Sequence, residues 1–448
     1  MKMSIRKLIY LFLNIVIVTF PLGQIGRLFF YVGASRITVF PSDILIPLIL
    51  FFWIMKKTNK DLRIRFKKTP LNVPIILFAV ICIISLLFST LRFEINKVII
   101  GSLYAIRWIL FASLFFVIVD LFKDLKEIHK YIRLILYIGI VVAVLGVLQL
   151  IFLPDMRTFA TKLAGGGWDL HQNRMVSTFL DPNFLGGYFV FLSSIALSCY
   201  VFIKKNTENA NVFKFYIFSS ILFVGCMALT FSRATFMAFV FVVAALCLKS
   251  IYKRKTFVIK SKALRILIFS LGAFCLMLPK IISKFSASPV ATKIGFVVDS
   301  SASARLTTWM QAFGIIFNDV LSFLIGIGYN NYAFARGNII KAGSTGPQNS
   351  LLFIWATTGT IGLAIYCLLL YAIIRYCGSI AKSNNYSEEL KAVAFGYKVG
   401  LIALVVHSMF IDSLTYAFIM ETMWIILGLI TAWQFAEKKQ LIAKQEVL

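Results

Sequence analysis

Two arginines stand where a guanidinium group could hold phosphate. Arg233 lies in the short turn 230–234 between two long apolar runs, and Arg305 begins an amphipathic segment further along the chain. The planar guanidinium fork with its five donors suits the clamping of phosphate oxygens. An arginine at a membrane boundary can also direct its charge to lipid headgroups, so each side chain has a structural alternative.

An amide pair, Gln348-Asn349, comes immediately before another apolar run. These side chains could orient a sugar hydroxyl or a diphosphate, and Asn349 is in addition a predicted helix N-cap. Tyr329 follows the turn 326–328 in the same polar segment and is a further candidate for substrate binding.

A second polar segment precedes Arg233 and contains candidates for substrate binding, which are His171, Arg174, Asp181 and Asn183. The sequence 181–183 is Asp-Pro-Asn, which is typical of a turn and the start of a helix. His171 is a lone histidine in this segment, and such a residue is more often solvated than catalytic.

Four polar residues lie within or beside apolar runs. Arg107 is about nine residues inside one, which places it roughly 13 Å deep. A charge at that depth costs several kcal/mol unless it is paired or faces a wet cavity, so Arg107 is predicted to line a cavity, with Glu421 as a candidate partner. Asp412 and His407 lie near the end of the last apolar hairpin and are predicted to support the site from beneath.

The elements that must position these residues are membrane helices. Hydrophobic residues make up 60% of the 448 residues and charged residues only 14%, which predicts an all-α polytopic membrane protein with a single integral domain over 1–448. Runs of about 20 apolar residues can cross the bilayer. Twelve such transmembrane helices are predicted, at 8–22, 39–55, 73–90, 98–122, 131–153, 183–203, 213–231, 234–250, 263–282, 350–376, 392–410 and 415–434.

The formal charge of +28 would suggest a nucleic-acid partner in a soluble protein, but here the basic residues occupy short loops between apolar runs. With the N-terminus inside, the inner segments hold about 31 Lys and Arg and the outer segments about 14, which is the positive-inside pattern. We therefore expect a plasma-membrane protein with no nucleic-acid partner, with both termini cytoplasmic and with outer loops at 154–182 and 283–349. The longer loop, between spans nine and ten, should contain an amphipathic helix at 304–320 with Ser303 as its N-cap.

Several function classes lose support. The sequence has no P-loop GxxxxGK[ST] pattern and no Rossmann glycine pattern, so ATP-driven transport and a nucleotide-sugar site are not expected. No CxxC pair or metal-ligand spacing occurs, and no cofactor or metal is predicted.

Taken together, these motifs resemble the O-antigen ligase and polymerase superfamily of bacterial envelope enzymes. The resemblance lies in Ser232-Arg233-Ala234, in Arg305 before a tryptophan-containing helix, in the turn 326–328, and in Gln348-Asn349 leading to the glycine-containing segment 359–362. It implies a metal-independent, inverting glycosyltransferase whose donor is an oligosaccharide on polyprenyl diphosphate. Membrane lipid and a chain-length regulator are further partners that the resemblance suggests. Arg233 and Arg305 would neutralise the departing diphosphate outside the membrane.

At one position the sequence departs from the ligases, which resemble this segment but carry histidine where Gln348 stands. Glutamine cannot act as a general base, so the base that deprotonates the acceptor hydroxyl must lie elsewhere. His171, Asp181 and Asp412 are the candidates. The leading hypothesis is a polymerase of surface polysaccharide such as O-antigen. The alternatives are a ligase that moves a glycan to lipid or protein and, in another class, a flippase of lipid-linked sugars.

Overall fold

The computed structural model describes residues 4–32, 35–58, 66–156, 173–204, 210–252, 265, 268–269, 272, 300–335 and 346–445. The first five helices are α1 (Ile5–Thr19), α2 (Pro41–Thr58), α3 (Asn72–Ser89), α4 (Ile95–Leu121) and α5 (Leu125–Phe152). The next three are α6 (Pro182–Phe202), α7 (Ala210–Leu229) and α8 (Arg233–Tyr252). Shorter helices follow as α9 (Ser300–Ile316), α10 (Val320–Ile325) and α11 (Tyr332–Ala335). The last three are α12 (Ser350–Lys382), α13 (Glu388–Ser408) and α14 (Ala417–Gln445).

Ten helices in the described part of the chain are long and apolar enough to span a membrane, which confirms the polytopic helical class. The count of twelve spans stays a prediction, because the proposed span 263–282 lies mostly outside the described residues. The proposed span 39–55 is the helix α2, whose last turn carries Lys56 and Lys57 and which is not among the ten.

The all-α description misses a β-hairpin after α1. Strands β1 (Leu28–Val32) and β2 (Ser35–Val39) pair antiparallel, with Leu28 opposite Val39 and Phe30 opposite Ile37. Aromatic and β-branched side chains dominate both strands, as is typical of sheets. Because the segment adjoins an apolar run, hydropathy alone gives no sign of the change in structure.

Helices α6 and α14 occupy the centre of the bundle, and most residues of each are buried. Small residues allow α6 to pack closely against α13, where Ser194 donates to the Gly396 carbonyl (2.9 Å) and Ser198 to the Ala392 carbonyl (2.7 Å). Such contacts replace the hydrophobic effect as the force that holds helices together in lipid.

The predicted amphipathic helix 304–320 is two helices. The first, α9, begins at Ser300, so Ser303 is not its N-cap. It ends at Ile316, because Asp319 starts α10 by accepting from the Ser322 amide (2.9 Å). Arg92, from the loop between α3 and α4, donates to the Asp319 carboxylate at 2.6 Å and ties this segment to the bundle. The apolar side chains Leu306, Met310, Phe313 and Phe317 of this segment are exposed, as expected for a surface helix.

Helix α12 is broken at Gly359, where φ is +70°. The break frees the carbonyls of Ala356 and Thr357, which accept hydrogen bonds from the amides of Ile327 (3.1 Å) and Gly328 (3.0 Å). A kinked membrane helix needs such replacement donors, because lipid supplies none. The turn 326–328 and the glycine-containing segment 359–362 therefore form one structural unit. This unit fixes the loop that carries Tyr329.

The structure of this unit allows the effect of the substitution Gly359→Ala to be predicted. A Cβ there would lie 2.3 Å from the Leu324 carbonyl carbon, and the backbone conformation is one that L-residues avoid. We expect Gly359→Ala to reduce the free energy of unfolding by about 2 kcal/mol or more, seen as a lower Tm in detergent.

Gly225→Ala is the matched control, because a Cβ at Gly225 in α7 meets no atom within 4 Å. Alanine favours the helix relative to glycine, so its Tm should equal or exceed that of the wild type. Equal Tm values for both variants would contradict the proposed unit.

Candidate active site

The outer candidates that the structure describes gather at one end of the bundle, at the starts of α6, α8, α9 and α12 and in the loop between α13 and α14. The turn before α8 is held from below by Arg174, which is buried. Its Nε donates to the Thr230 carbonyl at 2.7 Å and its Nη2 to the Phe231 carbonyl at 3.4 Å. Phe231 has φ of +49°, a strained conformation that these bonds support. Arg174 thus positions the turn that presents Arg233.

The start of α6 adjoins this turn. Asp181 caps α6 by accepting from the amides of Asn183 (2.7 Å) and Phe184 (3.1 Å), so the predicted turn and helix start are confirmed. The side chain of Asn183 accepts from the Ser232 hydroxyl at 2.9 Å. Both predicted binding residues therefore have local structural partners beside Arg233. His171 lies outside the described residues.

His407 joins α8 to the loop between α13 and α14. Its ring is fully buried, with Nε2 3.2 Å from the Thr235 hydroxyl and Nδ1 2.6 Å from the Ser413 hydroxyl. Ser413 follows Asp412 directly, so His407 helps to fix the loop that carries this carboxylate. The expected supporting role of His407 agrees with these contacts.

Arg305 contacts the amide pair that precedes α12. Its Nε donates to the Gln348 side-chain oxygen at 3.3 Å, and the Thr308 hydroxyl donates to the Pro347 carbonyl at 3.2 Å. Asn349 caps α12 through the amides of residues 351 (3.0 Å) and 352 (3.1 Å), as predicted. Gln348 has φ of +51°, so a second strained residue lies at this end of the bundle.

The carboxylate of Asp412 lies against this strained segment. The backbone amides of Gln348 and Asn349 donate to it, and burial outweighs them and raises its pKa to about 7. Its Oδ2 is close to Gly346, where a Cβ would lie 2.9 Å away. Its Oδ1 is inaccessible to solvent and has no hydrogen-bond partner in the described part of the chain. A carboxylate oxygen in this state is poised to accept a proton or a hydrogen bond from a ligand.

Asp412 forms part of the wall of a cavity of about 290 Å³. Tyr329 and Arg107, both predicted as binding residues, line the same cavity. The described lining does not include Arg233 or Arg305. The remaining lining residues are Gln24, Arg27, Thr38, Phe40, Tyr104, Phe184, Asn330, Gly346, Phe353, Thr415, Tyr416, Ala417 and Met420.

Arg27, Gln24 and Tyr416 are cavity residues that the sequence did not single out. Gln24 donates to the Tyr416 hydroxyl at 3.0 Å, and Arg27 donates to the Gln24 oxygen at 3.3 Å. The one available signal was a basic residue in a short loop predicted to be outside, against the positive-inside pattern. That signal is weak, because nothing in the sequence relates Arg27 to Tyr416.

The partner of Arg107 differs from the one expected. Its Nε and Nη2 bind the two carboxylate oxygens of Asp43 at 2.7 and 2.6 Å, and Nη2 also donates to the Thr38 carbonyl at 2.6 Å. Glu421 interacts with Ser42 instead, so the proposed pairing with Glu421 is wrong. Asp43 and Glu421 are both acidic residues near the outer end of the bundle, and only the packing of α2 against α4 selects between them.

The Arg107 ion pair yields a stability prediction. Both side chains are only 13% exposed, so Arg107→Ala leaves a buried, unpaired Asp43. We expect a loss of about 3–5 kcal/mol in the free energy of unfolding, measured by thermal unfolding in detergent.

Lys97→Ala serves as the control on the same helix. Its partner Glu94 is 3.7 Å away and the two side chains are 40% and 77% exposed, so the expected change is about 1 kcal/mol or less. If Arg107→Ala is no less stable than Lys97→Ala, the pair does not contribute as inferred.

Among the described residues, no three His, Cys, Asp or Glu side chains come together to hold a metal ion. A search of curated proteins finds no match. Residues 218–367 match the family model described as O-antigen ligase, a segment that includes Arg233, Arg305 and the Gln348-Asn349 pair. This match covers about a third of the chain, and it supports the assignment of the protein to the O-antigen ligase and polymerase superfamily.

Proposed function

We propose that the protein is a surface-polysaccharide polymerase, which transfers an oligosaccharide from polyprenyl diphosphate to a growing glycan. The observation that carries the proposal is the Asp412 carboxylate, with an unpartnered oxygen, beside Gln348 and the Arg305 that contacts it. The proton acceptor Asp412 and the cation Arg305 thus both contact Gln348. That is the pairing that glycosyl transfer from a diphosphate requires.

The reaction needs no redox partner. The acceptor oxygen attacks the anomeric carbon of the donor, and its proton passes to Asp412. The new glycosidic C–O bond forms while the old C–O bond to phosphate breaks, and the electron pair leaves on the diphosphate. Attack from the face opposite the leaving group inverts the anomeric centre. Arg305 and Arg233 stabilise the negative charge that develops on the diphosphate.

Asp412 is the base best supported among the three candidates. Asp181 caps α6, whereas Asp412 lines the cavity, and burial raises its pKa to about 7. Gln348, in turn, cannot take a proton but can orient Arg305 through their 3.3 Å contact. A base outside position 348 is what distinguishes a polymerase from the ligases in our interpretation.

The charge distribution supports an outward-facing site. The basic residues of the helix ends opposite the site include Lys57, which pairs with Asp120 at 3.3 Å, and Lys67, which donates to the Val119 carbonyl at 2.7 Å. The positive-inside rule makes that end cytoplasmic. The site then faces the side on which lipid-linked glycans are presented for polymerisation, with both termini in the cytoplasm.

The ligase and flippase hypotheses predict different glycans in a deletion strain, which gel electrophoresis resolves. A polymerase deletion leaves glycans of a single repeat on the cell surface. A ligase deletion accumulates full-length polymer on the lipid carrier, and a flippase deletion removes outward-facing lipid-linked sugar. Either of the last two patterns would contradict the proposal.

If Arg305 and Arg233 stabilise the departing diphosphate, replacing either one should stop elongation of the glycan. Arg305→Ala and Arg233→Ala should each abolish polymer formation in a complemented deletion strain, because charge on the diphosphate is no longer stabilised, while membrane insertion is retained. Arg375→Ala is the control, since Arg375 is exposed on the opposite end of α12. Wild-type polymer from both test variants would refute the role of the arginines.

If Asp412 is the base, the rate of glycan transfer should depend on pH. Only ionised Asp412 accepts a proton, and its pKa is about 7, so the transfer rate should rise with pH and level off above about pH 7. Arg27 and Arg107 are the other charged side chains that line the cavity. Asp412→Asn should reduce the rate about 10²- to 10⁴-fold and remove the pH dependence.

The measurement is transfer of lipid-linked glycan by purified protein at a series of pH values. Glu94→Gln, an exposed carboxylate at the same end of the bundle, controls for general charge effects. A pH profile that is unchanged in Asp412→Asn, or lost in Asp181→Asn instead, would show that the base has been assigned to the wrong residue.

A further inference from the structure

We infer that the 290 Å³ cavity beside Asp412 is the subsite for the acceptor sugar, distinct from the diphosphate site at Arg305. The inference rests on the proposed transfer reaction and adds the place and the chemistry of the second substrate. Asp412 accepts from the backbone amide of Gln348, whose side chain contacts Arg305, and Asp412 also lines the cavity. A base placed between two substrates is where a hydroxyl must lose its proton to attack the donor.

The cavity offers the groups that sugar rings require. Tyr416 stacks on Phe184 with ring centroids 3.9 Å apart and planes within 6°, and this rigid pair gives an apolar wall for the C–H face of a pyranose. Tyr104 adds another aromatic side chain to the lining. The size is near the lower end of the range of about 300–1,000 Å³ for ligand pockets, which fits one or two sugar residues.

A row of hydrogen-bonding groups runs along the same wall. Arg27 donates to Gln24 at 3.3 Å, and Gln24 donates to Tyr416 at 3.0 Å. Because these side chains hold one another, their positions are set before a sugar binds, which lowers the entropy lost on binding. Donors and acceptors for vicinal hydroxyls are thus arranged beside the aromatic wall.

The ion pair of Arg107 favours a sugar rather than a diphosphate as the occupant of the cavity. Arg107 is bound bidentately by Asp43, so its charge is already compensated. The Asp412 carboxylate would repel a diphosphate in the same space. An acceptor hydroxyl, by contrast, completes the hydrogen bonding of Asp412 Oδ1, for which the described residues provide no partner.

Cysteine protection tests the assignment without measuring transfer. Thr38→Cys places a thiol in the cavity wall, and the Arg107 bond to residue 38 survives because it uses the carbonyl. The purified variant in detergent is treated with a maleimide, with the labelling of its natural cysteines in the parent protein subtracted. The probes are the repeat oligosaccharide released by mild acid from the lipid-linked glycan of the same strain, and polyprenyl diphosphate without sugar.

We expect the oligosaccharide to slow labelling of Thr38→Cys about tenfold at ten times its Kd, and polyprenyl diphosphate to have no effect. In the double variant Thr38→Cys/Gln24→Ala, the oligosaccharide concentration that gives half-protection should rise roughly tenfold. The reason is the loss of the hydrogen bonds that link Arg27, Gln24 and Tyr416. The matched control is Thr90→Cys, on the exposed loop after α3 at the same end of the protein, whose labelling should not respond to either probe.

Unchanged labelling at saturating oligosaccharide would overturn the inference, as would protection by polyprenyl diphosphate alone, which would make the cavity the donor site. The outcome is separable from that of the proposed function. Protection without glycan transfer would retain the sugar site and remove the polymerase assignment. Transfer without protection would retain the polymerase and place its acceptor elsewhere.

Discussion

The end of the bundle that carries the candidate site depends on one constraint, which is that polar groups enclosed by the bundle must be hydrogen-bonded within it. Arg174 satisfies the carbonyls of a tight turn, Arg107 neutralises Asp43, and the loop after α10 supplies amides to the broken helix α12. The Asp412 Oδ1 atom departs from this rule. It is one of several buried side-chain atoms that do so, and it is a carboxylate oxygen in the wall of the cavity.

Strain accompanies the candidate site. Phe231 and Gln348 are non-glycine residues with positive φ; Phe231 lies two residues before Arg233, and Gln348 contacts Arg305. Such conformations cost of order 1–3 kcal/mol and persist where surrounding contacts enforce them. Here Arg174 anchors Phe231, whereas the contacts to Asp412 and Arg305 hold Gln348. Packing energy is thus used to orient two short segments against each other.

The separation of roles among the arginines also follows from their surroundings. Arg174 and Arg107 are bound to backbone carbonyls or to a carboxylate, so they stabilise the fold. Arg305 donates to the Gln348 side chain, and Arg233 is the first residue of α8. These two remain the proposed diphosphate-binding groups.

By itself the sequence determined the polytopic helical class, most helix positions and the caps at Asp181 and Asn349, because hydropathy and capping are local properties of the chain. It also indicated Asp412 as one of three candidate bases. Only the tertiary structure decided that Arg107 pairs with Asp43, that α9 ends before Asp319, and that Arg27, Gln24 and Tyr416 share a cavity. Those contacts join residues up to 392 positions apart, and their partners are selected by helix packing, which leaves no periodic trace in the sequence.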